Sequence, residues 1–213
     1  MSSDEENDEI QDLEKIRDKF MSLPPSERMQ VSAWEDDNDG IDAQRNPADA
    51  DARGILVAAE KGHTERLAAL LDKNPGLISV VDKDGYTPLH RACYGNHVNI
   101  IELLLLRGAK IDAKTIDGWE PLHSACCWNN VDSISMLISN GANVNAMTNG
   151  GQSPLHLVSA SSHNSPALQL LLLHPDTDKT SVNSSDDTPQ MIATRTGKYY
   201  PVFEMIEPCL NKI

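Results

Sequence analysis

Three tetrapeptides stand out in this sequence: Thr87-Pro88-Leu89-His90, Glu120-Pro121-Leu122-His123 and Ser153-Pro154-Leu155-His156. They follow one another at an interval of 33 residues, and a degenerate copy, Thr188-Pro189-Gln190-Met191, comes 35 residues after the third. A fixed interval of this length indicates a row of equal structural units, each of which buries its apolar side chains against its neighbours. The spacing therefore predicts a repeat architecture rather than a single globular core.

The first three copies lie in the same local context. A glycine-containing pair that favours a turn precedes each: Asp84-Gly85, Asp117-Gly118 or Gly150-Gly151. The proline then falls in the first turn of a helix, where its missing N–H group costs nothing, and the residue before it can cap that helix. An amphipathic run follows, as in residues 98–105 and 131–138, and predicts a second helix in each unit.

The combined pattern, D-x-x-G-x-T-P-L-H with G-A-x-V-N further on, resembles the ankyrin repeat family. The resemblance implies an all-α solenoid of helix-turn-helix repeats joined by β-hairpin-like turns. We expect an ankyrin repeat domain over residues 54–213, divided into an N-terminal cap at 54–83, full repeats at 84–116, 117–149 and 150–184, and a terminal repeat at 185–213. The cap lacks the tetrapeptide but contains the apolar run Ile55-Leu56-Val57-Ala58-Ala59.

Residues 1–53 have a different composition. They contain 16 acidic and 6 basic residues, so they carry −10 of the formal net charge of −14. Because their apolar residues are sparse, we expect a mostly disordered acidic arm. Ile10, Leu13, Ile16 and Phe20 have helical spacing and predict a short helix near residues 9–21, either transient or able to dock on a partner. Trp34, beside an acidic run, is a secondary candidate contact or an incidental apolar residue.

The composition excludes several classes of protein. A net charge of −14 disfavours nucleic acid and anionic membranes as partners. No run of 18 apolar residues predicts a transmembrane helix, and the acidic N-terminus does not have the pattern of a secretory signal. Four cysteines in 213 residues do not indicate a disulfide framework, which favours a reducing compartment, the nucleus or the cytoplasm. We expect a monomer.

The sequence offers little for catalysis. His90, His123 and His156 stand one repeat apart and therefore do not converge on a metal ion; the family resemblance implies hydrogen bonds within and between turns instead. Cys126-Cys127 beside His123 lacks the second ligand pair of a zinc site. No nucleotide-binding or hydrolase motif is present. We expect no catalytic residue, metal or cofactor, and keep a thiol enzyme using Cys126, Cys127 and His123 as the alternative.

The cysteines at positions 93 and 126 occupy the same place in successive repeats, where a small apolar side chain packs in the first helix. Cys127 is the thiol that we expect to be partly exposed.

Four of the nine aromatic residues occupy two equivalent positions in two successive repeats. In the family that the sequence resembles, these positions line a concave groove that grips partners, and Tyr and Trp dominate binding energy at interfaces. The alternative is that they cover neighbouring structure. The predicted partner contacts are Tyr86, Arg91, Tyr94, Trp119, Ser124, Cys127, Trp128 and Gln152. Since Arg91 is the main base among several acids there, we expect a protein partner with a basic or mixed-charge face.

These observations favour a non-enzymatic protein-interaction module. The stretches Asp84–Asn130 and Ile192–Tyr199 resemble a small member of the family whose name implies nuclear regulation of gene expression. The alternative function is a cytoplasmic adaptor that is regulated by its own acidic arm.

Overall fold

A computed structural model of the chain describes residues 47–160, 166–196 and 203. The predicted short helix near residues 9–21 and Trp34 lie outside the described residues. Within the described ranges the chain forms nine α-helices, a short 3-10 helix at Pro75–Ser79 and no strand. The helices are α1 Ala50–Lys61, α2 Thr64–Lys73, α3 Pro88–Tyr94, α4 Val98–Leu106, α5 Pro121–Cys127, α6 Val131–Ser139, α7 Pro154–Ala160, α8 Pro166–Leu173 and α9 Pro189–Thr196.

The helices form two rows. The odd-numbered helices α1 to α9 make an inner row in which each helix packs on the next, and α2, α4, α6 and α8 make an outer row in the same way. The two helices of a repeat also pack on each other. Every repeat thus buries its apolar faces against its neighbours, and the predicted all-α repeat solenoid is confirmed.

The first helix begins four residues before the predicted start of the cap. Asp49 is its N-cap, and its Oδ1 accepts a hydrogen bond from the Ala52 N–H group at 2.7 Å. Asp51 follows in the first turn of α1, where a negative charge is favourable next to the helix dipole. Some of the acidity at the end of the predicted arm is therefore part of a helix.

The core is aliphatic and repeats with the period of the chain. Small side chains at one position of successive inner helices, Ala59, Ala92 and Ala125, are fully buried and let these helices approach closely. The outer helices contribute fully buried Ile and Leu residues, each of which stabilises the fold by about 1.5–3 kcal/mol. Cys93 and Cys126 are also fully buried, which confirms that they pack as small apolar side chains.

The turns before the inner helices are linked by backbone hydrogen bonds. The N–H group of Ile116 donates to the Asp84 carbonyl at 2.9 Å, and that of Asn149 donates to the Asp117 carbonyl at 3.0 Å. Gly118 has a φ of +77°, and a Cβ atom there would lie 2.9 Å from the Asn149 backbone nitrogen. Glycine is thus required at this turn both by the left-handed backbone and by the close approach of the next turn.

Two asparagines turn the chain between the helices of a repeat. Asn96 and Asn129 have φ values of 54° and 56°, a left-handed backbone that Asn tolerates better than most residues. Each also reaches the next repeat. The Oδ1 atom of Asn96 accepts from the Ser133 N–H group and that of Asn129 from the Ala167 N–H group, both at 3.2 Å.

Candidate functional site

Four half-buried aromatic side chains occupy the turns and the ends of the inner helices α3 and α5. Tyr86 and Trp119 lie in the turns before these helices, Tyr94 ends α3, and Trp128 directly follows α5. The rings of Tyr94 and Trp128 meet edge to face, with centroids 5.0 Å apart and an angle of 88° between the planes. These four residues are called the aromatic surface below.

The turn residues of the aromatic surface are fixed by their own repeats. The N–H group of Tyr86 donates to Asp82 Oδ1 at 2.8 Å, and that of Trp119 donates to Thr115 Oγ1 at 3.0 Å. The Tyr86 ring lies edge to face with the His90 imidazole at 5.6 Å between centroids. A ring held at its backbone and along one side loses little freedom on binding a ligand, which favours recognition.

The histidines tie each turn to the next. His90 Nδ1 accepts from the Thr87 N–H group at 3.2 Å, and its Nε2 lies 3.0 Å from the Trp119 carbonyl oxygen. Since Nδ1 is the acceptor, Nε2 carries the proton and donates to that carbonyl. The hydrogen bonds within and between turns that the family resemblance implied are thus present at His90. Through the second of them, His90 helps to place Trp119 on the aromatic surface.

The next two histidines repeat this arrangement. His123 lies between the Glu120 N–H group and the carbonyls of Ala146 and Gln152. His156 lies between Ser153 and the Asp187 carbonyl. Burial lowers the pKa of His90 and of His123 to about 4 and lowers that of His156 as well. These three histidines, called the histidine ladder below, are therefore neutral at pH 7.

The electrostatic environment of Tyr86 is acidic. Burial raises the pKa of its hydroxyl to about 12, with further contributions from the carboxylates of Asp117, Asp82 and Asp84. Burial, assisted by Glu60, raises the pKa of Tyr94 too. The aromatic surface thus lies in a region of negative potential.

Arg91 is not part of that surface, contrary to the expectation that it would be the main base of the groove. Its side chain is fully buried. Its two terminal nitrogens form ion pairs with Glu60 Oε2 at 3.1 Å and with Asp82 Oδ2 at 2.8 Å. The pairs join α1 to α3 and hold the turn that carries Tyr86, because Asp82 also accepts the Tyr86 N–H bond.

Ser124 is buried as well, so its predicted role as a partner contact does not fit its position. Gln152 is half-buried, and its backbone N–H group donates to Thr148 Oγ1 at 3.1 Å. Cys127 is exposed, as expected. Six of the eight predicted contacts are therefore at least partly accessible: Tyr86, Tyr94, Trp119, Cys127, Trp128 and Gln152.

The buried ion pairs were missed by sequence reasoning, although the repeat contains a signal for them. Glu60, Asp82 and Arg91 occupy the positions that Cys93, Thr115 and Ser124 fill one repeat later. Three charged residues at positions that are neutral in the neighbouring repeat would have indicated a local ion-pair cluster. Without this comparison between repeats, the separate positions of Glu60, Asp82 and Arg91 along the chain do not indicate that they form ion pairs.

The three thiols among the described residues lack the depressed pKa of a nucleophile. Burial raises the pKa of the Cys93 and Cys126 thiols, and partial desolvation raises that of Cys127. Cys209 lies outside the described residues, so the test is made in a Cys209→Ser background. There we expect a thiol reagent to label only Cys127 in the native protein at pH 7, more slowly than an unfolded control. Mass spectrometry of time points between pH 6 and 9 measures this. Fast labelling at pH 6 would support the alternative of a thiol enzyme.

Over the described ranges, no three side chains of His, Cys, Asp or Glu are grouped so that they could hold a metal ion. None of the helices described is long and apolar enough to span a bilayer.

Stacked helix pairs, linked turns and a histidine ladder define an ankyrin repeat protein. The family described as Ankyrin repeats matches in three copies, over residues 39–115, 55–148 and 104–183, and the chain belongs to this family. Proteins of the family typically mediate protein–protein interactions and are generally not enzymes.

Relatives of this chain carry the name Ankyrin repeat domain-containing protein 49. The protein of Bos taurus is 52% identical over 74% of this chain and 66% of its own length, and that of Homo sapiens is 51% identical over 75% and 67%. The protein of Drosophila melanogaster is 45% identical over 96% of this chain and 94% of its own length. The chain thus matches about two thirds of the mammalian relatives and nearly all of the fly protein.

Proposed function

We propose that this protein binds a protein partner through the aromatic surface. The observation that carries the proposal is that Tyr86, Tyr94, Trp119 and Trp128 hold two equivalent positions in two successive repeats and are each only half-buried. Large rings that are partly accessible and held in place by their own fold are the residues that dominate binding at interfaces. Their alternative role as structural cover applies best to Tyr94 and Trp128, which contact each other.

The acidity of the region supports a partner with a basic face. Arg91 is sequestered inside the domain, so it does not counter the carboxylates of Asp84 and Asp117 at the surface. The sequence also allowed a partner with a mixed-charge face, because Arg91 was expected in the groove. With Arg91 buried, a basic face is the better match. The same potential opposes the phosphate backbone of DNA or RNA.

Residues 84–130 resemble the small family member noted in the sequence analysis, fetal globin-inducing factor, and the name of that protein is the ground for proposing a nuclear regulatory role. That name concerns the similar protein, and we extend it to this chain as part of the proposal. Pull-downs should therefore use nuclear and cytoplasmic extracts separately. A partner captured mainly from the nuclear extract would support a nuclear role.

The double substitution Trp119→Ala/Trp128→Ala tests the aromatic surface. We expect it to weaken capture of the specific partner by at least about tenfold, because each ring removed would be a major contact. The measurement is a quantitative pull-down with mass spectrometry, followed by titration of the purified partner. Thermal unfolding of the variant establishes that the repeats remain folded.

A matched control removes two apolar side chains from another face. Leu106 and Leu173, in the last turn of α4 and of α8, are 79% and 62% exposed. Leu106→Ala/Leu173→Ala should retain every partner. If the tryptophan variant is folded and also retains every partner, the proposed surface is wrong.

A further inference from the structure

The carboxylates near Tyr86 come from two successive turns. Asp84 lies two residues before Tyr86, in the same turn, and Asp117 lies in the turn of the next repeat. The hydrogen bond from the Ile116 N–H group to the Asp84 carbonyl, at 2.9 Å, joins these turns beside both acids. Their relative positions are therefore set by the fold and not by flexible side-chain choices alone.

Both carboxylates are close enough to Tyr86 to raise the pKa of its hydroxyl. Asp84 is half-buried and Asp117 is exposed, and the Tyr86 ring keeps part of its surface accessible. In the part of the chain that the structure describes, the ion pairs of Lys and Arg do not include Asp117. A negative potential next to an accessible aromatic ring is a favourable place for a cation.

We propose that Tyr86, Asp84 and Asp117 form a subsite for an arginine side chain of the partner, an inference that rests on the proposed function above. A guanidinium group is planar, so it can stack on the ring while its N–H groups donate to the carboxylates. A lysine ammonium group provides charge without this planar match. The bound segment is then basic and presents an arginine to the turns of the first two full repeats, 84–116 and 117–149.

Selection of random peptides displayed on phage tests the subsite without a known partner. Peptides selected on the whole wild-type chain should contain arginine at about three times its frequency in the unselected library, as expected for a modest cation–π and carboxylate preference. On the Asp84→Asn/Asp117→Asn variant the arginine excess should disappear. The control Glu65→Gln/Glu102→Gln removes the same charge from exposed residues of α2 and α4 and should keep the excess.

A peptide selected on the wild type gives the quantitative test. Replacing its key arginine with citrulline, which is planar but neutral, should weaken binding to the wild type about tenfold and to the Asp84→Asn/Asp117→Asn variant less than about twofold. Equal losses in both proteins would overturn the inference. So would a lysine replacement that binds as tightly as arginine, because the planar match would then contribute nothing.

The aromatic surface and the arginine subsite can fail separately. If Trp119→Ala/Trp128→Ala abolishes peptide selection while the asparagine variant keeps the arginine excess, only the subsite is wrong. If the tryptophan variant selects the same peptides as the wild type, the proposed function falls and the subsite inference falls with it.

Discussion

Replacing Arg91 with Met should lower the free energy of unfolding by about 3–5 kcal/mol, because it leaves two carboxylates buried without their cation. Glu60 and Asp82 are 7% and 5% exposed, so water cannot replace the guanidinium group. The loss is a large part of the roughly 5–15 kcal/mol by which a typical domain is stable. Urea unfolding followed by circular dichroism measures it.

Arg107→Met provides the control for this substitution. Arg107 pairs with Asp72 at 2.8 Å on the surface, where both side chains are largely solvated. Its replacement should cost less than about 1 kcal/mol. A similar small loss for Arg91→Met would contradict the view that the buried ion pairs hold α1 on α3.

A triple variant separates the cost of a broken ion pair from the value of the charged set itself. Glu60→Cys, Asp82→Thr and Arg91→Ser together install the residues of the next repeat, where Thr115 already accepts the equivalent turn N–H bond. We expect this variant to be more stable than Arg91→Met alone, since the buried carboxylates that Arg91 neutralised are removed with it. If the triple variant is less stable than the single one, the carboxylates are stabilising without Arg91.

The order of the repeats could be predicted from the sequence because their signature residues act locally. Proline in the first turn of a helix and histidine next to its own turn have the same role in the first three copies, so a spacing of 33 residues is enough to place them. Asn96 and Asn129 were predictable for the same reason, since a left-handed backbone is a property of a single residue.

The position of Arg91 could not be predicted in this way. Whether an arginine in an inner helix faces solvent or the interior depends on two acids that lie 31 and 9 residues away along the chain. The beginning of α1 four residues before the predicted cap has a related reason. Asp49 and Asp51 were counted with the acidic arm, although acids are also the preferred residues at the beginning of a helix.

The binding role of the aromatic surface remains a prediction, although the geometry restricts it. The positions of Tyr86 and Trp119 in the turns follow from the repeat, and so does the hydrogen bond of Tyr86 with Asp82, which is the first residue of the D-x-x-G motif. Thr115 replaces that aspartate in the next repeat and accepts the equivalent bond from Trp119, which the motif does not specify. The edge-to-face contact of Tyr94 with Trp128 likewise joins two repeats.

Lowering the pH from 7.5 to 4.5 should destabilise the protein through His90 and His123. The pKa of each is about 4 in the folded protein, against an ordinary value of 6.5. Between about pH 4 and 6.5 the unfolded chain therefore binds more protons than the folded protein. The stabilisation that comes from these two histidines is fully present above about pH 6.5 and is lost as the pH falls toward 4. The two residues together contribute about 5 kcal/mol to this change, since each unit of pKa corresponds to about 1.4 kcal/mol.

The physical reason is the direction of the hydrogen bonds. Protonation would place a hydrogen on Nδ1 of His90, where the Thr87 N–H group already donates, and on Nδ1 of His123, which accepts from the Glu120 N–H group. Two donors would then face each other in a buried site. Urea unfolding at intervals of half a pH unit measures the slope, which also contains a contribution from carboxylates.

Variants isolate the part of the slope that belongs to the histidines. His90→Gln and His123→Gln should each lower stability at pH 7.5 and flatten its dependence on pH, and the double variant should retain only the contributions of the carboxylates and of His156. Leu122→Ala, next to His123 in the core, should cost about 2–5 kcal/mol at every pH and leave the slope unchanged. A double histidine variant with the slope of the wild type would show that His90 and His123 do not link folding to protons.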